Sequence, residues 1–312
     1  MNKILVFGAN GYLGSNMVSF LVNHDYDITI ARRHGSLITN SNFKHIDIAN
    51  YQEFFLINIL NDFHTILYAS GSNSRECENK PKEALISNFI NPQKIINAAT
   101  KSNVSSFIYF SSIHVYAREF KGNYNERSQT SNFHPYALFK IGIENYLKWC
   151  SKKSNLNVII NRLSNCYGFY DPNSNISWNL VVNEFCNSAI LDRKITINSK
   201  FNSLRNYISV NDFMKILNNQ LKNINSFSKE QVFNIVSNTN LDLLEITNLI
   251  SKRCKIKYGF SPKIIKSTNF LESYDHALFS NNKLLNCMDV DFSSIEFEID
   301  KLLDHISSKS NE

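Results

Sequence analysis

The chain has little of what would tie it to a membrane, a metal or an oxidising compartment. In 312 residues no apolar run approaches the ~18 needed to span a bilayer. The apolar run at the N-terminus, Ile4-Leu5-Val6-Phe7, is too short for the core of a signal peptide, so a cytoplasmic protein is expected. The cysteines Cys77, Cys150, Cys166, Cys186, Cys254 and Cys287 show no CxxC spacing, which argues against a disulfide framework and a zinc site. The histidines are scattered without HExxH-like spacing, and no metal is expected. The excess of positive over negative charge is modest as well. The net charge is +6, and its densest patch, Lys252-Arg253 with Lys255 and Lys257, is short and has one aromatic neighbour, Tyr258. It reads as a solvated face, with no nucleic-acid partner.

Glycine is also sparse, nine in all, yet three of the nine fall in Gly8-Ala9-Asn10-Gly11-Tyr12-Leu13-Gly14. The run Ile4–Phe7 leads into this loop, and Leu13, Met17, Phe20 and Leu21 recur after it at helical spacing. The pattern predicts strand, tight turn, helix. Gly8 permits the turn, Gly11 lets backbone approach a pyrophosphate, and Gly14 allows close helix packing. Phosphates would then meet the free N–H groups and positive dipole end of the helix.

A second strand, Asp27 to Ala31, ends in Arg32-Arg33. In a dinucleotide fold this position meets the adenosine ribose, where a carboxylate accepts from a 2′-OH and an arginine accommodates a 2′-phosphate. Arg32 therefore predicts NADP (NADPH) over NAD. Further strands are expected at Lys44–Ile48, Thr65–Ala69, Ser106–Phe110 and Val158–Ile160, alternating with helices. One helix is expected from Pro81 to about Ser102, kinked or broken at Pro92. This alternation predicts an α/β protein, a Rossmann-type doubly wound parallel sheet with ligands beyond the carboxyl ends of its strands.

The fifth strand carries Ser111-Ser112 to that edge. Further on, His134-Pro135 opens a helix on which Tyr136 and Lys140, four apart, share a face. A phenol titrates too high for proton transfer at neutral pH unless a neighbouring ammonium lowers it, and a serine hydroxyl can hydrogen-bond the substrate oxygen.

These residues resemble the extended short-chain dehydrogenase/reductases, in their nucleotide-sugar epimerase, dehydratase and ketoreductase branch. The resemblance implies cofactor contacts from Gly8, Asn10, Gly11, Tyr12, Leu13, Arg32 and Arg33. It adds an adenine-contacting pair in Asp47-Ile48, and Ala69-Ser70 beneath the nicotinamide side. Ser111-Ser112-Ile113-His114-Val115-Tyr116 is similar to the family's serine strand, which places the catalytic role on Ser112, with Ser111 beside it as a substrate contact. Tyr136 and Lys140 match the family's Tyr and Lys, which also hold the cofactor. Arg162-Leu163-Ser164-Asn165-Cys166-Tyr167-Gly168 resembles an RxxNxYG turn in which Asn165 contacts sugar or phosphate. Arg205-Asn206-Tyr207 is similar to a segment whose arginine holds the substrate diphosphate, with Asn206 in place of the usual aspartate.

The expected organisation is a cofactor domain over residues 1–165 and a smaller C-terminal α/β substrate lobe over 166–312, with about 205–222 returning to the first. Val232–Val236 and Leu241–Ile250 read as a strand and helix of the lobe. The resemblance implies homodimers through the Pro81 and Tyr136 helices. It also implies three reactions. Ile113-His114 replaces the acidic pair of dehydratases, which disfavours dehydration. The arginine end of strand two favours an NADPH-dependent reductase of a 4-keto-6-deoxy nucleotide sugar, in deoxysugar and surface-polysaccharide synthesis, over a NAD-retaining 4-epimerase. His114 is a candidate acid/base group or a shaper of the pocket floor. A non-catalytic NADP-binding regulator is the reading from another class, disfavoured because Tyr136 and Lys140 are both present.

Overall fold

A computed structural model of the chain describes residues 3–33, 43–117, 121–227, 229–271 and 276–310. Two compact units share them, one from Met1–Arg118, Ser128–Leu163 and Asn219–Phe233, the other from Glu119–Arg127, Ser164–Asn218 and Asn234–Glu312.

The first unit is built on a seven-stranded sheet of β1 (Ile4–Phe7), β2 (Ile28–Arg33), β3 (His45–Ile48), β4 (Thr65–Tyr68), β5 (Ser106–Ser112), β6 (Asn157–Leu163) and β7 (Glu230–Ile235). Their spatial order is β7-β6-β5-β4-β1-β2-β3, and the pairs linking β1 to β6 are parallel. Strand order reverses between β1 and β4, so the switch point lies beside the glycine loop, where open α/β sheets bind ligands. Strand register stacks Leu5, Ile66, Phe107 and Val158 in one buried layer and Phe7, Tyr68, Tyr109 and Ile160 in the next. Ile95, Ile96, Ala99, Ile143 and Leu147 from two helical stretches cover that face. Each buried Leu or Ile contributes about 1.5–3 kcal/mol.

Two expectations are corrected here, and of the kink or break expected at Pro92 the break does not occur: helix Pro81–Leu85 passes through a π segment, Ile86–Ile90, into Asn91–Ala99. Pro92 lacks an N–H and crowds the carbonyl four residues back, that of Asn88; the widened π turn takes up both defects. Of the segment expected to return to the first unit, about 205–222, only the part from Asn219 does so, and it continues to Phe233. Gln220 exchanges side-chain hydrogen bonds with Asn161 of β6, each 2.8 Å, whereas Arg205–Ser209 pairs with Asn165–Tyr167 in the second unit's own sheet. The strand read at 232–236 as part of the lobe is β7, which closes the main sheet beside β6.

The second unit holds a three-stranded sheet of Asn165–Tyr167, Arg205–Ser209 and Asn240–Leu241, and a parallel pair, Lys194–Ile197 with Lys263–Lys266. Its core gathers Phe185, Ile195, Ile246, Ile250, Ile299 and Leu303. Helix Leu243–Tyr258 starts in a capping box, Asp242 with Glu245, and stops at Gly259, whose φ of +75° suits a residue without Cβ. On this helix Arg253 grips Asp300 and Lys257 meets Asp304 at 2.9 Å, so much of the basic patch is ion-paired. No helix among the described residues is long and apolar enough to cross a membrane. Five cysteines are buried and Cys287 is exposed.

Candidate active site

The glycine loop leaves β1 at a positive φ, +85° at Gly8, and closes by the Gly11 N–H donating to the Gly8 carbonyl at 2.9 Å. A Cβ on Gly8 would lie 2.6 Å from the Ser70 nitrogen, and one on Gly14 would lie 2.0 Å from the Gly8 oxygen. Gly8 thus serves the approach of Ala69-Ser70 as well as the turn, and Gly14 packs on the turn's backbone. Gly11 differs. It is exposed, begins helix Tyr12–Val22 in extended geometry without a side-chain cap, and its Cβ would touch only the Gly8 oxygen, at 3.3 Å. Asn10 is exposed, and Tyr12 and Leu13 are half-buried. An uncapped helix start beside a backbone without side chains is a fitting cradle for a coenzyme pyrophosphate.

Phe7 is in register with Ala31, so Arg32 stands one step beyond, abreast of Gly8, and is itself in register with Asp47 on β3. The two side chains expected to meet different parts of the cofactor are joined to each other: Arg32 donates through Nε and Nη2 to the Asp47 carboxylate, the latter at 2.7 Å. Arg33 and Ile48 are the next register pair on the two strands, and Ile48 is buried in the core.

After β4, Gly71 has φ +150°, and its missing Cβ would lie 2.6 Å from Asn88 Oδ1. Asn88 accepts from the Ser72 N–H at 2.5 Å and donates to the Ser72 carbonyl at 2.9 Å, holding the loop that abuts Gly8. The sequence reading missed Asn88. Its signal was Pro92, four residues on, whose π turn carries it.

Ser112 ends β5, 7% exposed, and its Oγ accepts from the His114 N–H at 3.2 Å. His114 stands exposed on the next turn, its carbonyl accepting from Asn132 at 2.7 Å. His134 caps the helix Pro135–Lys153: its Nδ1 accepts from the Tyr136 N–H at 3.2 Å and its Nε2 meets Glu78 at 2.8 Å. Lys140 is buried, donates to the Phe110 carbonyl at 2.8 Å and lies 5.7 Å from the Tyr136 ring centre. Ser112, Tyr136 and Lys140 therefore come together as expected. The expected lowering of the Tyr136 phenol does not appear. Burial pushes it up to about 12, against the pull of its hydrogen bond with Ser112. Burial likewise brings Lys140 down to about 8, while the Glu144 carboxylate holds it up.

Ser111 is not a substrate contact. It is 5% exposed and donates to Glu144 Oε1 at 2.5 Å, because strand alternation turns it away from the side Ser112 faces. Glu144 also takes Arg162 Nη2 at 2.6 Å, and Arg162 donates to the Tyr116 hydroxyl at 2.9 Å. Both charges are 2% exposed or less, so the site rests on a buried, hydrogen-bonded ion pair.

In the second unit Asn165 and Arg205 are half-buried. Asn165 Nδ2 donates to the Asn206 carbonyl at 2.9 Å, and Arg205 Nε to Ser203 at 3.3 Å. Asn206 points the other way and ties down Ser237 and Thr239. A pocket of about 200 Å³ is lined by Asn165, Cys166, Asn179, Leu180, Val181 and Tyr207. The Tyr207 hydroxyl is buried and has no hydrogen-bond partner among the described residues. Sequence reasoning missed Asn179, Leu180 and Tyr207.

Among curated proteins the chain is similar to a UDP-glucose 4-epimerase of Halalkalibacterium halodurans, 26% identical over 55% of this chain. It is also similar to a dTDP-D-glucose 4,6-dehydratase of Dictyostelium discoideum, 25% identical over 69% of this chain. The matched parts span about half the length of those two relatives, 53% and 54%. Among solved structures, MoeE5 in complex with UDP-glucose and NAD has the same fold, with a TM-score of 0.81, 16% identity and coverage of 99% of this chain and 100% of that one. A profile of the NAD dependent epimerase/dehydratase family matches residues 4–236, and the chain belongs to that family.

Proposed function

We propose that the chain transfers hydride at C4 of a nucleotide-linked sugar, reducing a 4-keto-6-deoxy sugar with NADPH on the way to a deoxysugar for surface polysaccharide. The observation that carries this reading is the convergence of Ser112, Tyr136 and Lys140 in the unit that bears the glycine loop. Bound at that loop, a nicotinamide coenzyme supplies the hydride. Tyr136 gives its phenolic proton to the ketone oxygen, and Ser112 hydrogen-bonds the same oxygen as charge develops on it. Lys140, an ammonium below about pH 8, stabilises the phenolate left behind. Asn165, Arg205 and the Tyr207 pocket hold the nucleoside diphosphate, the planar guanidinium suiting phosphate oxygens. Ile113-His114, in the place of an acidic pair, speaks against dehydration, and His114 is the candidate for protonating a carbon next to the ketone.

A second reading, a NAD-retaining 4-epimerase, is favoured by Asp47, whose carboxylate offsets the charge of Arg32. In either reading the chain works as a homodimer: Leu85 and Ile86 on one helical run, and Leu138 and Trp149 on the catalytic helix, are exposed apolar side chains. Light scattering on the purified protein tests the dimer.

The activity is tested by following NADPH and NADH oxidation at 340 nm with dTDP-, CDP-, GDP- and UDP-linked 4-keto-6-deoxy sugars. Consumption with one nucleotide class, abolished in Tyr136→Phe, supports the reductase. No consumption, with NAD co-purifying and UDP-glucose converted to UDP-galactose, replaces it with the epimerase.

A further inference from the structure

A continuous run of hydrogen bonds joins the Ser112 hydroxyl to the backbone of Tyr136, and one of its members titrates. Ser112 Oγ accepts from the His114 N–H at 3.2 Å, and the His114 carbonyl accepts from Asn132 Nδ2 at 2.7 Å. Asn132 is 4% exposed, donates also to the Ala117 carbonyl at 3.0 Å, and accepts the His134 N–H on its Oδ1 at 2.9 Å. From there His134 Nδ1 accepts from the Tyr136 N–H at 3.2 Å. Pro135, the first residue of the helix, has no N–H, so the Tyr136 amide is the first donor of the helix and no earlier turn can receive it. Asn, Asp or Ser usually fills this capping place with a side-chain oxygen. His134 fills it with a nitrogen lone pair, which exists only while the ring is neutral.

The other ring nitrogen settles the tautomer. Nε2 meets the Glu78 carboxylate at 2.8 Å and stands 3.5 Å from Ser74 Oγ, both on helix Ser74–Asn79. A carboxylate only accepts, so the ring proton belongs on Nε2 and the lone pair on Nδ1. Among the described residues, Glu78 and Ser74 meet the ring from that helix, and the Tyr136 amide meets it from the other. A second proton has to go to Nδ1, the atom that accepts. Two donors would then face each other, and the cap would open. The charge of Glu78 favours that proton and the Tyr136 N–H opposes it.

We infer that His134 is a positioning residue for Tyr136: as the neutral Nε2–H tautomer it holds the first turn of helix Pro135–Lys153 where the phenol meets Ser112, and it releases that turn when the ring is protonated. This rests on the proposed reading of Tyr136 as the group that exchanges a proton with the sugar oxygen. His134 acts through Tyr136 and not on substrate, so its loss should lower kcat and leave KM nearly alone.

The test is the pH dependence of kcat for the full chain, with NADPH and the dTDP-, CDP-, GDP- or UDP-linked 4-keto-6-deoxy sugar that supports turnover. A range from about pH 5.5 to about pH 7.5 spans imidazole titration and stays below the pH of about 8 at which Lys140 loses its proton. Wild-type kcat should fall about tenfold towards the acid end, and His134→Ala should be about tenfold slower at about pH 7.5, with KM within about threefold. His134→Asn, a cap that does not titrate, should restore kcat to within about twofold at about pH 7.5 and abolish the acid fall. Glu78→Gln keeps an acceptor for the Nε2–H and withdraws the charge that favours the second proton, so the acid fall should move to lower pH by about half a unit. A flat wild-type profile, or an acid fall that persists in His134→Asn as one due to His114 would, overturns the inference and leaves the reading of Tyr136 standing. Turnover undiminished in Tyr136→Phe, or none with any of these sugars, removes that reading and the inference with it. Should either His134 variant fail to fold by circular dichroism, Glu78→Gln decides: an acid fall that stays in place overturns the inference.

Discussion

Lys140 Nζ donates to the carbonyl of Phe110 across 2.8 Å, so helix Pro135–Lys153 is fastened to the strand that presents Ser112 by one of the groups of the candidate site. The same burial that makes this bond possible disfavours the ammonium and brings its pKa from 10.5 to about 8. Between those values the unfolded chain binds a proton that the folded chain does not, and stability contributed at this residue rises with pH. The difference in urea midpoint between wild type and Lys140→Met should therefore move in favour of wild type from pH 8 towards pH 10. A pH-independent difference would mean that Lys140 titrates normally.

Glycine substitutions should separate folding from cofactor binding. Gly14→Ala forces a methyl to within 2.0 Å of the Gly8 oxygen, with backbone on both sides, and should lower the melting temperature and abolish coenzyme binding together. Gly11→Ala meets one atom at 3.3 Å and should fold normally while coenzyme affinity drops. Thermal melts alongside coenzyme titrations distinguish the two; equal melting temperatures for both variants would contradict the packing described.

The pair of Glu144 and Arg162 supports the site from beneath. Glu144→Ala leaves a guanidinium uncompensated in a 2%-exposed position and should cost about 3–5 kcal/mol. Ser111→Ala removes one hydrogen bond to the same carboxylate and should cost about 1 kcal/mol. Chemical denaturation measures both, and a Glu144→Ala cost no larger than that of Ser111→Ala would show the pair to be unimportant.

Tyr207→Phe should be neutral or raise stability by about 1 kcal/mol, because the hydroxyl it removes is buried without a partner among the described residues. The same change should weaken binding of a nucleotide sugar in a calorimetric titration. A large loss of stability would reveal a partner for the hydroxyl within the protein.

What the sequence made legible follows from how local each signal is. The strand, glycine turn and helix at the N-terminus are specified between Ile4 and Leu21, and Tyr136 and Lys140 are bound by helical spacing, so both could be read directly. Ser111 and Ser112 look alike in sequence, and only the pleat, with Glu144 waiting on one side, separates a buried strut from the hydroxyl proposed to act on substrate. The partnership of Glu144 with Arg162 joins a helix to a strand 18 residues on, and no local pattern announces it. The strand at 230–235 was read, but its place was not, because an edge position beside β6 depends on a chain excursion of some seventy residues. The last sixty residues carried no motif, yet helix Ile295–Ser310 supplies Ile299, Leu302 and Leu303 to the second core.

The distribution of cysteines gives the chain a built-in reporter. With Cys287 exposed and the other five buried, a maleimide dye added to the native protein reacts at one position, and further labelling counts how much of the fold has opened. Because Cys77 lies in the first unit and Cys186 and Cys254 in the second, peptide mapping of the labelled protein reads the opening of each unit separately, without a single substitution.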